Sequence, residues 1–444
     1  MALVANAGCH SDPASGDGID GSATPVTITF LRHDNITYRE ADNAFFAEYM
    51  VDHPNVTIVD TTVDFHTLAS TLLGELRRDQ FAYDLVLMPP SRMCGFADNV
   101  YDVPDEVMTM DQAKQTFFAA PLEGSTCNGH LKGLPVEYNL EYGGVVVNLD
   151  KYQARFPGKT PGWSDWPSFL ADAAALTEYD DTGKPTANGL DIDPDWPPAT
   201  REMFLGQILQ RGGKYRKDDG LFDFKTPEAH DAFTDMVSWF DVNHVMFPEL
   251  VPDKNTYVTT RLAAGATGYG WGDPAKPLAV MGYVGTWAVP STVAQLPSGS
   301  SWHFDYFPLP PMVGTEHRFV QDSGWAFAVP RTCKNPAVAW DIARSLALTP
   351  TAMRKWSDTT GALPALRANG TPEVAAGNPS LAKVQPLLEK GNWLGYVPSG
   401  AIETVSGAFV KNFFDVVRKV ADVDTALDHL QTTANGAILL HRDD

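Results

Sequence analysis

The strongest constraint on the fold is an alternation of apolar runs near the N-terminus. Val26–Leu31 is short, β-branched and apolar. Glu40–Asp52 then places Phe45, Phe46, Tyr49 and Met50 at helical spacing, and Pro54 ends the run. Val56–Val59 reads as a second strand, and Phe65–Asp79 carries Leu68, Leu72 and Leu76 four apart on one helix face. Tyr83–Met88 is a continuous apolar run closed by Pro89 and Pro90. Strand, helix, strand, helix, strand in so short a span is the pattern of a parallel, doubly wound α/β sheet. Such sheets bind ligands beyond the carboxyl ends of their strands. Here those ends are Arg32–Asn35 and Pro89–Arg92, which makes Asn35, Ser91 and Arg92 candidate ligand residues unless the loops are merely solvated.

The chain has 444 residues, too long for one such unit, so two or three domains are expected. Gly133–Asp150 reads as a turn, a polar extended piece and a second buried strand. Cap chemistry marks helices that open at Thr226-Pro227, Asn335-Pro336 and Thr349-Pro350. Gly407–Leu440 reads as helical and amphipathic.

Charge narrows the function. Lys and Arg total 33 against 55 Asp and Glu, a formal charge of -22. A surface that acidic repels phosphate backbones and anionic lipid heads, which argues against nucleic acid and basic-patch membrane docking. No stretch approaches the ~20 apolar residues of a spanning helix, which excludes a multi-span transporter. Aromatics reach 11%, with 11 Trp, and suggest a ligand that stacks.

The front of the chain has its own pattern. Small apolar residues lead to Cys9, and a Ser/Gly/Asp-rich run from Ser11 to Thr24 follows. That run buries too little to fold and reads as a tether. The arrangement resembles the end of a bacterial lipoprotein signal, which implies a lipid anchor at Cys9 and a tether over residues 1–24. Cys94, Cys127 and Cys333 lack metal spacing. In an exported chain Cys94 and Cys127 are candidates for one disulfide, with buried free thiols as the alternative.

A set of landmarks runs in order over nearly the whole chain. They are the opening strand and helix, YDLVLM with its polar loop, GHLKGLPVEYNLEYGGVVVNLDKY and PGWSDWPSFLADAAALT. MGYVGTWAV and FDYFPLPP follow, then GWAFAVPRTCKNPAVAWDIARSLALTPTAMRKW and TGALPAL. Together they make the sequence similar to the extracellular solute-binding proteins of ABC importers, in the cluster that includes maltose- and multiple-sugar-binding proteins. The resemblance implies an α/β fold of two lobes, each a doubly wound sheet flanked by helices, with the ligand cleft at the hinge. Carried onto this chain, lobe one is 25–138 plus 310–365 and lobe two is 139–308 plus 366–444. The crossings fall in Pro135–Tyr142 and Phe304–Pro311. It further implies an extracytoplasmic monomer without a cofactor and without catalysis. Such a protein passes its solute to a membrane permease from the periplasm or cell surface.

The same resemblance assigns site residues. Trp287, after Gly285, matches the family's sugar-stacking tryptophan, with an ordinary core tryptophan as the alternative. Apart from the resemblance, Trp271 is a second candidate because it lies on the Gly-rich Gly268–Gly272 loop, which favours ligand contact, with packing as the alternative. Glu137, Tyr138, Asn139 and Glu141 alternate on the crossing segment, and the family places one carboxylate there, which leaves Glu137 and Glu141 as alternatives. Trp325 matches a cleft-side segment, Trp393 and Tyr396 sit in a Gly-flanked loop, and Arg201 and Glu202 are candidates for the lobe-two wall.

Asp191, Asp193, Asp195 and Glu202 have the acid spacing of a calcium loop. Trp196 stands where that loop needs glycine, however, and Pro194, Pro197 and Pro198 restrict it, so no metal is expected. Two other functions compete with sugar capture. One is a carbohydrate-active hydrolase using paired carboxylates. The other is a binder of a polyamine, peptide or organic acid.

Overall fold

In a computed structural model the N-terminal alternation builds one sheet. The structure describes residues 24–64, 67–68, 71–72, 74, 81–138, 143–192, 197–247, 250, 262–263, 278–296, 298–321, 324–375, 379–398 and 400–442. The first sheet has the order β2 (Val56–Val63), β1 (Val26–His33), β3 (Leu85–Met88), β14 (Ala326–Ala328), β6 (Leu134–Pro135). β1 is parallel to both β2 and β3, while the chain returns much later to add β14 antiparallel to β3 and to β6. β3 and β14 are buried along their whole length, as strands covered on both faces must be.

The first helix is Ile36–Asp52, longer at its start than the Glu40–Asp52 expected. Asn35 is the reason. Its Oδ1 accepts from the backbone N–H groups of Thr37 and Tyr38, and this cap starts the helix through three residues that read as strand formers.

The second sheet has the order β12 (Phe304–Pro308), β8 (Gly144–Asn148), β11 (Ala279–Tyr283), β10 (Pro185–Asp191), β9 (Glu178–Tyr179). Only β10 and β11 run parallel in it. Three two-stranded ladders complete the pairing. They join β4 (Thr126–Cys127) to β5 (His130–Leu131), β7 (Glu137–Tyr138) to β15 (Leu363–Pro364), and β13 (Phe319–Gln321) to β16 (Gly391–Trp393).

Each sheet carries its own core. Phe30, Phe96, Trp340 and Trp356 anchor the first, and Phe204, Trp239 and Phe409 the second. A smaller cluster draws on both, with Tyr138, Val146, Val284, Tyr306 and Leu363 packed together. The Ala288–Ala294 helix leaves β11 and packs against the Ile36–Asp52 and Pro350–Thr360 helices of the other core. Its approach is close at Gly361, which has φ 69° and where a Cβ would lie 2.7 Å from the Pro290 ring.

The C-terminal region is helical, as its pattern suggests, in two helices, Ile402–Val417 and Val423–Leu440. Lys419, at φ 60°, turns the chain between them, and Asp422 restarts it by accepting from the Thr425 N–H. Cys94 and Cys127 form a disulfide with their Cα atoms 5.3 Å apart. Cys333 is a buried free cysteine, its thiol pushed up to about 12 by burial. Cys9 lies outside the described residues. No helix among the described residues is long and apolar enough to cross a membrane.

Candidate functional site

The carboxyl ends of the parallel strands point into one region. β1 and β3 deliver His33–Asn35 and the Pro90–Met93 helix from the first lobe. β11 delivers Gly285–Trp287 from the second, and β10 leads to the Pro197–Gln210 helix with Arg201 and Glu202. The two walls touch at named atoms. Asn35 Nδ2 donates to Ser291 Oγ at 3.4 Å, and Arg92 Nη2 donates to Glu403 Oε1 in the first turn of the Ile402–Val417 helix. Tyr215 on the second lobe lies close enough to Glu123 on the first for the two to interact electrostatically.

The floor is aromatic. The His33 ring stacks on Trp325, 4.2 Å between centroids and 4° from parallel, and meets Tyr38 edge-on at 5.0 Å. The Tyr38 hydroxyl donates to Glu137 Oε1 at 2.8 Å. Gly324, at φ 84°, lets the chain pass directly over this carboxylate's own residue, because a Cβ there would lie 2.6 Å from the Glu137 carbonyl oxygen. Trp287 is half-buried and packs against both the first core and the cluster shared by the lobes. Trp393 is half-buried against the second core, and Tyr396 is exposed.

Several candidate residues do other work. Asn35 spends its oxygen on capping. Arg32, at the end of the first strand, is wholly buried and held by Asp42 and Asp60. Tyr138 faces opposite to Glu137, as strand alternation requires, and packs on Phe118 in the shared cluster. Trp325 is a floor residue only 8% exposed. Ser91 is half-buried beside Arg92. Asn139, Glu141 and Trp271 lie outside the described residues.

The calcium-loop spacing resolves into strand and helix. Asp191 closes β10, and Glu202 lies inside a helix that starts at Pro197, paired with Arg201 Nη2 at 2.9 Å. Asp193 and Asp195 are outside the described residues. Among the described residues no group of three His, Cys, Asp or Glu side chains is placed to hold a metal.

Sequence reasoning missed Tyr38, Tyr215, Arg216, Glu403 and Ser406 as parts of this region. Arg201 Nη1 donates to Ser406 Oγ at 3.1 Å, and the Tyr215 hydroxyl donates to the Trp393 carbonyl at 3.3 Å. No local pattern marks these residues: Tyr38 sits in the first turn of the helix that Asn35 caps, and the others come from parts of the chain far from the first strand.

His33 gives the floor a pH dependence. Burial, with the Arg32 charge adding to it, lowers its pKa from 6.5 to about 3, so the folded ring stays neutral. The unfolded chain binds a proton below about pH 6.5 and the folded chain does not, so stability falls as pH drops from there toward about 3. Between about pH 6.5 and about pH 4.5 this one group is expected to remove about 2 kcal/mol. His33→Phe keeps a stacking ring and removes the titration. Denaturation midpoints at both pH values should therefore differ less in the variant by about that amount. Equal pH dependence in the two proteins excludes the assignment.

A family model described as bacterial extracellular solute-binding protein matches residues 44–382. Among curated proteins, no sequence relative matches. Solved structures are similar over nearly their full length. The maltose/maltodextrin-binding domain MalE of Bdellovibrio bacteriovorus, bound to maltotriose, is 17% identical with a TM-score of 0.71, over 93% of this chain and 100% of that one. The GacH receptor of Streptomyces glaucescens, solved unliganded and with acarbose, is 14% identical with a TM-score of 0.74, over 94% and 99%. The cyclic α-maltosyl-1,6-maltose binding protein of Arthrobacter globiformis is 20% identical with a TM-score of 0.69, over 93% and 99%. These likenesses show the two-lobed α/β fold.

Proposed function

The chain belongs to the bacterial extracellular solute-binding proteins, and from that premise we propose that it captures a carbohydrate between its lobes and delivers it to the permease of an ABC importer. The carrying observation is the composition of the cleft. Trp287, Trp393 and Tyr396 offer flat faces for sugar C–H groups, while Ser91, Arg92 and Arg201 supply polar groups beside them. The neighbours named above bind saccharides, which supports the same class here. Lobe one is proposed as 25–138 plus 310–365 and lobe two as 139–308 plus 366–444, with closure about the strands between them as the working step. The protein acts outside the cytoplasm, and we place it there as a non-catalytic monomer, tethered through residues 1–24 and lipidated at Cys9.

The test is a thermal-shift panel of neutral and acidic sugars, polyamines and peptides, with chromatography for products. A ligand at ~100 times its Kd adds ~2.7 kcal/mol and raises the midpoint by a few degrees. Trp287→Ala is expected to cost about 1–3 kcal/mol of that binding. A shift with polyamines or peptides alone overturns the sugar class, and a hydrolysis product overturns the non-catalytic role.

A further inference from the structure

One end of the cleft gathers more guanidinium than a neutral ligand needs. Arg92 and Arg201 come from opposite lobes and reach the same face of the Ile402–Val417 helix, one at Glu403 and the other three residues on at Ser406. Both arginines are more than nine-tenths buried. Arg216 completes the group. Its guanidinium lies over the Phe222 ring, 4.4 Å from the centroid, and directly under Gly395 of the Trp393–Tyr396 loop, where a Cβ would come within 3.2 Å of Nε. Arg201 is near enough to add its repulsion to the burial that brings Arg216 down to about 10.

Each arginine keeps an arm in reserve. Arg92 gives Nη2 to Glu403, Arg201 gives Nη2 to Glu202 and Nη1 to Ser406, and Arg216 gives Nη1 to the Gly220 carbonyl. Arg92 Nη1, Arg201 Nε, and Arg216 Nε and Nη2 are enclosed and meet no hydrogen-bond acceptor. A buried donor left unmet is costly, and more so when charged, so four in one place call for acceptor oxygens. The helix end points the same way. Its N-cap is Ala401, which brings no side-chain acceptor to the first-turn N–H groups, and that end carries the positive pole of the helix.

We infer that this end of the cleft is an anion subsite, in which Arg92, Arg201 and Arg216 hold the carboxylate or phosphate of an acidic sugar. The inference rests on the capture reading above and narrows its solute. The ring of such a sugar lies against Trp393 and Tyr396 while its charged group enters among the guanidinium arms. Glu202 and Glu403 orient the arginines by taking one arm each and leave the others to the ligand.

The experiment is isothermal titration of the protein with matched pairs. The pairs are galactose with galacturonate, glucose with glucuronate, their short oligomers, and galactose with galactose 1-phosphate. The tightest ligand is expected to be anionic, at least about tenfold stronger than its neutral twin, and to weaken as salt rises. Arg216→Gln should remove most of that preference. Arg92→Gln provides the same readout if the first variant melts much below the parent protein. A neutral sugar that binds as tightly as its acidic twin overturns the anion subsite and leaves sugar capture standing. An anionic preference untouched in both folded variants also overturns it. No binding by any sugar overturns both readings.

Discussion

Replacing Arg32 by methionine is expected to destabilise the protein by about 3–5 kcal/mol, the largest effect of any single side chain near the cleft. Arg32 is fully buried at the carboxyl end of β1. Its Nη1 lies 2.8 Å from Asp42 Oδ2, its Nη2 lies 2.5 Å from Asp60 Oδ2, and Nη2 also donates to Asn43 Oδ1 at 3.0 Å. Asp42 is as buried as its partner and takes a further bond from Trp356 Nε1 at 2.8 Å. Methionine fills the space and leaves Asp42, whose pKa burial already raises, without its counter-charge and with one donor; the carboxyl must then stay charged in an apolar setting or take up a proton, and either is the costly half of breaking a buried pair. The double variant Arg32→Met, Asp42→Leu should regain much of the loss, because no fully buried orphan charge remains and Asp60 is partly open to water. Urea denaturation of the parent, single and double variants measures both effects. A single-variant loss under about 1 kcal/mol means that water reaches Asp42 and that the network is not buried in solution. The outcome bears on binding too. This network joins β1, the Ile36–Asp52 helix and the Pro350–Thr360 helix, the frame that holds His33 and Asn35 at the cleft floor.

The fold was legible wherever local pattern and tertiary role agree. In the first sheet β3 follows from an apolar run buried on both faces, and the helices opening at Thr226-Pro227, Asn335-Pro336 and Thr349-Pro350 stand where their prolines put them. Asn35 shows the limit. Its place after the first strand suggests a ligand residue, yet an asparagine after a strand and before a helix serves first as the cap. The site was less legible because it is assembled from both ends of the chain. Arg92 and Glu403 are more than three hundred residues apart, and nothing about an exposed glutamate in a helix's first turn announces a partner on the other lobe. Trp287 and Trp325 were visible through the order of landmarks, but periodicity does not separate a stacking platform from a floor. The structure leaves Trp287 half-buried between the lobes and covers Trp325 with His33.

Removing the Cys94–Cys127 disulfide is expected to cost about 3–4 kcal/mol, from the entropy of the loop that its sequence separation of 33 closes in the unfolded chain. The bond also has a local task. Cys94 follows the Pro90–Met93 helix by one residue, and Cys127 ends β4, so the bridge fastens the segment carrying Arg92 to a hairpin of the first lobe. Arg92 reaches across the cleft to Glu403, and a guanidinium held this way loses little freedom when a ligand arrives. Two consequences separate in measurement. The Cys94→Ser, Cys127→Ser variant should unfold at lower denaturant, and reductant should shift the parent protein to the same midpoint while leaving the variant unmoved. If Arg92 holds the ligand, the variant should also bind its solute more weakly at temperatures where it is fully folded, since the freed segment must be ordered again at each binding event. Stability lost with affinity intact confines the bond to the fold. Stability unchanged by reduction shows that the unfolded chain gains no freedom from opening this loop, against the entropy argument itself.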